Sequence, residues 1–184
     1  MNPQIDIYLN TESSWVTESM LETYRTALHQ LLPVLLQNPP GPDHVLTTLD
    51  MVEISVVDDA TIARIHGEFL NDPTPTDAIT FPYGEIIVSC DTAERYAQEH
   101  GLSREEELFR YMVHGLTHLH GYLDYEPEDR AALFAVQEPL VAQFSPGKLA
   151  DTAHQKPLRE DFERTKSVYP PVASLAATVN TLAK

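Results

Sequence analysis

Three potential metal ligands lie within one short segment of the chain, at His114, His118 and Asp124. Residues four apart in a helix lie about one turn apart on the same face, so both imidazoles can reach one ion. Gly121 offers a place for the helix to end, because glycine adopts a positive φ without steric cost. A turn at this glycine would bring Asp124 back towards the histidines as a third ligand.

Three protein ligands with an open coordination position are the arrangement of a catalytic zinc site, which activates a bound water. Cys90 is the single cysteine, so a cysteine-rich zinc site and an internal disulfide are both excluded. Zincin peptidases place a glutamate after the first histidine as general base, whereas this chain has Gly115. The pattern therefore disfavours such a peptidase and leaves the general base unidentified. Two helix histidines alone are also compatible with packing or surface roles.

Strands and helices are predicted in an order without strict alternation. A capping-box pattern at Ser103 and Glu106 begins the helix that carries the two histidines. Apolar periodicity predicts strands at residues 5–9, 46–57, 76–81 and 85–90, and helices at 16–36, 58–69, 91–100, 103–120 and 128–144. The expected fold is α/β (α+β), with a small mixed β-sheet of about four strands packed with about five helices in a single domain.

Composition divides the chain into an acidic body and a tail. Residues 1–144 carry six arginines and 24 acidic residues, whereas residues 145–184 carry six basic and four acidic residues, within a net charge of −16. We expect one domain at 1–144 and a disordered or loosely docked tail at 145–184. The sequence contains no stretch of about 18 apolar residues, so a membrane span is not expected. The lone cysteine and the absence of a signal-like start favour the cytoplasm.

Several motifs together resemble a known family. The segment at 114–122 reads His-Gly-x-x-His-x-x-Gly-Tyr, with a ligand at 124, and resembles the signature of the YbeY-type rRNA maturation endoribonucleases. Residues 75–82 are similar to the family's Pro-Thr-Asp-Val-Leu-Ser-Phe-Pro segment. Residues 84–93 resemble its Gly-Asp-Ile-x-Ile-Ser segment and the helix start that follows. In order and spacing the resemblance covers roughly residues 50–144.

The resemblance implies a metal-dependent nuclease. It implies one zinc ion per chain held by His114, His118 and Asp124, and an endoribonuclease that acts on single strands. Its expected role is in 16S rRNA 3′-end maturation and ribosome quality control, with ribosomal RNA and small ribosomal subunit proteins as partners. Two alternatives remain: a metal-stabilised ribosome-assembly factor of the same fold that does not cleave RNA, and a metal-dependent hydrolase of another substrate.

Two positions depart from the family pattern. The family usually has histidine as third ligand, where this chain has Asp124. A carboxylate lowers the net positive charge of the site, so a bound water should be acidified less. The family also commonly carries an arginine, thought to face the RNA, where this chain has Leu70. The excess of acidic residues in 1–144 also disfavours general binding of polyanions, because Lys and Arg provide most of the affinity for phosphate groups.

The neighbouring polar residues are expected to play structural roles. His120 lies two positions past His118 and should point away from the histidine pair. Thr117 is expected to be packed and Tyr122 to be a packing residue. Asp77 is expected to orient a backbone turn, with a hydrogen bond to a metal-binding histidine as the alternative.

Overall fold

The computed structural model describes residues 2–147, so most of the tail predicted at 145–184 lies outside the described residues. Within the described part, four strands and five helices confirm the predicted fold class. They are β1 (Gln4–Leu9), α1 (Glu18–Leu35), β2 (Met51–Val57), α2 (Asp59–Leu70), β3 (Ala78–Phe81), β4 (Glu85–Ser89), α3 (Cys90–His100), α4 (Arg104–Leu119) and α5 (Pro127–Phe144). No helix between residues 2 and 147 is both long and apolar enough to cross a membrane.

The sheet has the strand order β1-β2-β4-β3. β1 pairs with β2 and β2 with β4 in parallel, whereas β3 pairs with β4 antiparallel. The predicted hairpin between the last two strands is therefore confirmed. Its turn is closed by the Gly84 N–H, which donates to the Phe81 carbonyl at 3.0 Å, and Gly84 has a φ of +104°. A positive φ of this kind favours glycine over other residues.

The sheet carries helices on both faces, because successive side chains of a strand point to opposite sides. Ile86 and Val88 of β4 face the larger core, which α1, α4 and α5 complete. Ile87, between them, faces a smaller core formed with Ile62 of α2. Helix α4 therefore lies between the sheet and other helices, and every residue from Glu107 to Leu119 is buried.

Some predicted boundaries were wrong. The strand predicted at 46–57 begins only at Met51, because Leu46–Thr48 form a short 3₁₀ turn. The Thr48 N–H and hydroxyl both donate to the Val45 carbonyl and close this turn. Cys90, predicted as the end of a strand, is instead the first residue of α3, because the Ser89 side chain accepts from the Thr92 N–H and begins the helix.

Helix α4 approaches the sheet closely at Gly115. A Cβ atom at this position would lie 2.6 Å from Cγ2 of Ile86, the second residue of β4. Ile86 is fully buried and β-branched, so its side chain has little freedom to move aside. The glycine after His114 therefore faces the sheet. A longer side chain at this position, such as the glutamate of a zincin peptidase, would collide with Ile86.

We predict that Gly115→Ala lowers the free energy of unfolding by about 1–3 kcal/mol, because the added methyl group overpacks the contact with Ile86. Urea unfolding measures this change. Gly67→Ala is the matched control, since a Cβ there meets only Pro73 at 3.2 Å and α2 gains helix propensity. Adding Ile86→Ala should make Gly115→Ala less costly than it is alone. Unchanged stability of Gly115→Ala would contradict the account.

Candidate metal centre

Helix α4 begins and ends by local chemistry. The Ser103 side chain accepts from the Glu106 N–H at 3.1 Å. Acidic residues occupy the first turn, where their negative charge interacts favourably with the helix dipole. At the other end the Gly121 N–H donates to the His118 carbonyl and the Tyr122 N–H donates to the Thr117 carbonyl. These two bonds form a Schellman motif around Gly121, whose φ is +94°. The predicted helix end is confirmed.

A loop at residues 38–45 holds the turn that follows the helix. The Gly41 N–H donates to the His120 carbonyl at 3.0 Å, and the Val45 N–H donates to the Leu119 carbonyl at 2.9 Å. A Cβ on Gly41 would lie 1.8 Å from the Gly121 carbonyl oxygen, so the two glycine backbones are in direct contact. The loop therefore satisfies the last carbonyls of α4 and fixes the path of the chain towards the third predicted ligand.

The structure brings the three predicted ligands together. The Nε2 atoms of His114 and His118 lie 3.0 Å apart, and Oδ2 of Asp124 lies 3.9 Å and 3.8 Å from them, respectively. One ligand atom from each residue falls within 4.8 Å of the others. The three side chains are nearly excluded from solvent, with exposed fractions of 6%, 0% and 7%. This arrangement fits a metal centre.

The hydrogen bonds of both imidazoles direct Nε2 towards the centre of the cluster. Nδ1 of His118 lies 2.7 Å from the Tyr122 carbonyl oxygen, which can only accept, so Nδ1 carries the proton. Nδ1 of His114 lies 2.7 Å from Oε1 of Gln137, which is also an acceptor. In the neutral rings, both Nε2 atoms therefore present lone pairs to each other. A cation between them relieves this repulsion.

Gln137 contacts the cluster through His114, which the sequence did not predict. It lies in α5 and is fully buried among the apolar residues of that helix. A polar residue one turn from Leu133 and from Leu140, both buried, was the available signal. Its partner His114 is 23 residues away in sequence, and no periodicity predicts which side chain it meets.

The electrostatics of the site favour the neutral form of the His118 imidazole and the protonated form of the Asp124 carboxyl group. Burial lowers the pKa of His118 well below its ordinary value, and the charge of His114 acts in the same direction. Burial raises the pKa of Asp124 to about 6, and the negative charge of Asp77 contributes to the rise. Arg130 acts in the opposite direction and stabilises the ionised carboxylate.

The other polar residues named from the sequence have structural partners. Oδ1 of Asp77 accepts from the N–H of Ala78, the first residue of β3, at 2.8 Å, so this side chain contacts the local backbone. Thr117 is fully buried and donates to the Val113 carbonyl, as a packed threonine does. His120 points away from the pair, as predicted, with its Nε2 2.9 Å from the Asn38 carbonyl oxygen.

Two further positions complete this comparison. The Tyr122 hydroxyl donates to the Pro39 carbonyl at 2.8 Å, so this residue fastens the loop at 38–45 as well as packing against it. Leu70, where the family commonly has arginine, is half-buried and is the last residue of α2.

We predict that Asp124→Asn stabilises the metal-free protein at pH 7 by up to about 3 kcal/mol. This is the free energy that corresponds to the rise in the pKa of Asp124 from 3.8 to about 6. An aspartate whose pKa is higher in the folded protein than in the unfolded chain holds a proton more tightly when folded. Asp124 should therefore contribute a loss of stability to the metal-free protein as pH rises from about 4 to 6, whereas His118, whose pKa is lowered, contributes a gain over this range. Asp124→Asn should lack that loss.

Urea unfolding of chelator-treated protein at pH 4.5 and pH 7 tests this prediction. Asp50→Asn is a control, because Asp50 is an exposed aspartate directly before β2. The same pH dependence in wild-type protein and Asp124→Asn would contradict a raised pKa for Asp124.

Comparisons with known proteins agree with this geometry. The family model described as "Endoribonuclease YbeY" matches residues 10–145. A Heliobacterium modesticaldum protein of that name is 32% identical over 162 residues, covering 74% of this chain and 94% of the relative. One from Protochlamydia amoebophila is 46% identical over 93 residues, covering 45% of this chain and 62% of the relative. One from Rhodopirellula baltica is 45% identical over 123 residues, covering 61% and 60%, respectively.

The matched region thus spans about three fifths of the length of the Protochlamydia and Rhodopirellula relatives. The fold is also that of a solved Thermotoga maritima protein, whose solution structure has a TM-score of 0.53 and 26% identity and covers 76% of this chain and 88% of that one. The family match includes all three clustered residues and most of the described chain. On these grounds the chain belongs to the YbeY family.

Proposed function

We propose that this chain is a zinc-dependent endoribonuclease acting on single-stranded ribosomal RNA. Its role would be in 16S rRNA 3′-end maturation and ribosome quality control, in the cytoplasm and in contact with small ribosomal subunit proteins. The observation that carries the proposal is the convergence of two imidazole Nε2 atoms and one carboxylate in a buried cluster. The name Endoribonuclease YbeY, carried by the relatives, supports the reaction class.

The donor set fits zinc. Two nitrogen ligands of a tetrahedral zinc ion lie about 3.3 Å apart when each bond is about 2.05 Å. The two Nε2 atoms are 3.0 Å apart, so a small separation of the rings accommodates the ion. His114, His118 and Asp124 would hold it and leave a fourth position for water or a phosphate oxygen. When bound, zinc polarises water and stabilises negative charge that develops on the phosphate.

The charge of the protein restricts how RNA can approach. Five of the six arginines between residues 2 and 147 form ion pairs with carboxylates; Arg130 is the exception in that part of the chain. Arg130 is half-buried at the start of α5 and its charge acts on the Asp124 carboxylate. It is therefore the arginine best placed to contact a phosphate beside the cluster.

We predict that His114→Ala lowers the rate of cleavage of a single-stranded RNA oligonucleotide at least about a hundredfold, because zinc contributes several kcal/mol to stabilising the transition state. Its zinc content, measured by mass spectrometry, should fall in parallel. His29→Ala is the control, since His29 is an exposed histidine on α1. Asp124→His restores the usual family ligand and should keep zinc and cleave faster than wild type.

Two results would overturn the proposal. Stoichiometric zinc with no cleavage of single-stranded RNA by wild-type protein or by Asp124→His would favour a metal-stabilised assembly factor. Cleavage that survives His114→Ala undiminished would show that the activity lies elsewhere.

We further predict that, at saturating zinc, Arg130→Gln raises KM for RNA severalfold and leaves kcat within about twofold, because a phosphate contact positions RNA without entering the chemistry. The slope of log affinity against log salt concentration should fall in magnitude by about 1. Arg64→Gln is the matched control, since Arg64 pairs with Glu68 on α2, across the sheet from the cluster. Equal salt slopes for wild-type protein and Arg130→Gln would exclude this contact.

A further inference from the structure

Gln137 occupies a position between the metal cluster and a group of charged side chains. Its Oε1 lies 2.7 Å from Nδ1 of His114, and its Nε2 donates to Oε1 of Glu138 at 2.8 Å. The side chain is fully buried, so water does not compete for either bond. Each end of the amide therefore has one defined partner.

The charge of Glu138 fixes which end of the amide faces the histidine. Arg110 donates to both carboxylate oxygens of Glu138, from Nε at 3.0 Å and from Nη2 at 3.2 Å. The Arg110 side chain is only 9% exposed and also donates to Glu107, which is fully buried. An ionised carboxylate can only accept, so it selects the NH₂ end of Gln137 and leaves the oxygen for His114.

We infer that Gln137 is a positioning residue that fixes His114 as the Nδ1–H tautomer, with Nε2 directed at the zinc ion, and that Glu138 and Arg110 hold Gln137 in this orientation. The inference rests on the proposed zinc site. The tautomer of His114 on α4 is then set by residues outside α4's own turn. It depends on a chain of hydrogen bonds that runs from Gln137 through Glu138 to Arg110.

The two histidines differ in how their tautomers are set. His118 donates to the Tyr122 carbonyl, a main-chain group formed by the helix end. His114 depends on the Gln137 side chain, so a substitution can change it. A neutral amide also suits this site. Asp124 would supply a negative ligand, and a carboxylate at position 137 would add another negative charge beside Glu138.

The test uses Gln137→Met, which keeps the length and apolar stem of the side chain and removes the acceptor. Zinc affinity of the full chain is measured by competition with a chromophoric chelator. We expect a loss of about tenfold to a hundredfold, the usual effect of removing the partner of a metal-bound histidine. Gln143→Met, an exposed glutamine on the same helix, is the matched control and should bind zinc as wild type does.

A second readout does not depend on zinc. Long-range ¹H–¹⁵N correlation spectra of metal-free protein at pH 8.5, where a free imidazole is neutral, distinguish the two tautomers. Wild-type His114 should be protonated at Nδ1, and Gln137→Met should populate both forms. Glu138→Gln should bind zinc more weakly than wild type but better than Gln137→Met, because a neutral amide at position 138 can pair with either orientation of the Gln137 amide.

The outcomes separate the two proposals. An Nε2–H tautomer of His114 in metal-free wild-type protein overturns the positioning role, even if Gln137→Met does not fold. Wild-type zinc affinity in Gln137→Met overturns it as well. A wild-type protein that binds no zinc but shows the Nδ1–H tautomer would overturn the proposed function and leave the hydrogen-bond chain intact.

Discussion

The close approach of two imidazole nitrogens is the interaction on which the rest of the site depends. Nε2 of His114 and Nε2 of His118 lie 3.0 Å apart inside the protein, and both Nδ1 atoms face acceptors. This contact is unfavourable between neutral rings and favourable around a cation. It persists because α4 is buried from Glu107 to Leu119 between the sheet and other helices, which hold both rings in place.

The structure around α4 holds this contact from three directions. Gly115 lets the helix lie directly against Ile86 of the sheet. The backbone contact between Gly41 and Gly121 fixes the turn that returns Asp124 to the histidines. Gln137 reaches across from α5 to His114. Each of these contacts joins segments that are far apart in sequence. The cluster of His114, His118 and Asp124 therefore forms only when the domain folds.

The charge balance of the cluster follows from its third ligand. Asp124 is a buried carboxylate whose pKa rises to about 6, so without a cation its ionised form is costly to the fold at neutral pH. A bound divalent ion would offset that cost. With Asp124 in place of the histidine that the family resemblance implies, the proposed site carries less positive charge, and the proposed contact with RNA would depend more on Arg130.

Local patterns allowed the three clustered residues and the fold class to be predicted from sequence. The four-residue spacing of His114 and His118 and the helix stop at Gly121 are encoded within a few residues. The hairpin and most helix ends follow from glycine and capping residues in the same way. The role of residues 38–45 and of Gln137 could not be predicted, because each acts through contacts made only after folding. The strand start at Met51 was misplaced because a threonine side chain closes a turn that apolar periodicity does not detect.

Zinc binding by the full chain is the property that the proposed site requires above all. Calorimetric titration of chelator-treated protein, combined with X-ray absorption of the complex, gives the stoichiometry and the ligand atoms. The account predicts one zinc ion per chain, bound by two imidazole nitrogens and one protein carboxylate oxygen, and loss of this binding when His114 and His118 are both replaced by alanine. No zinc binding by wild-type protein, or equal affinity in the double variant, would contradict it.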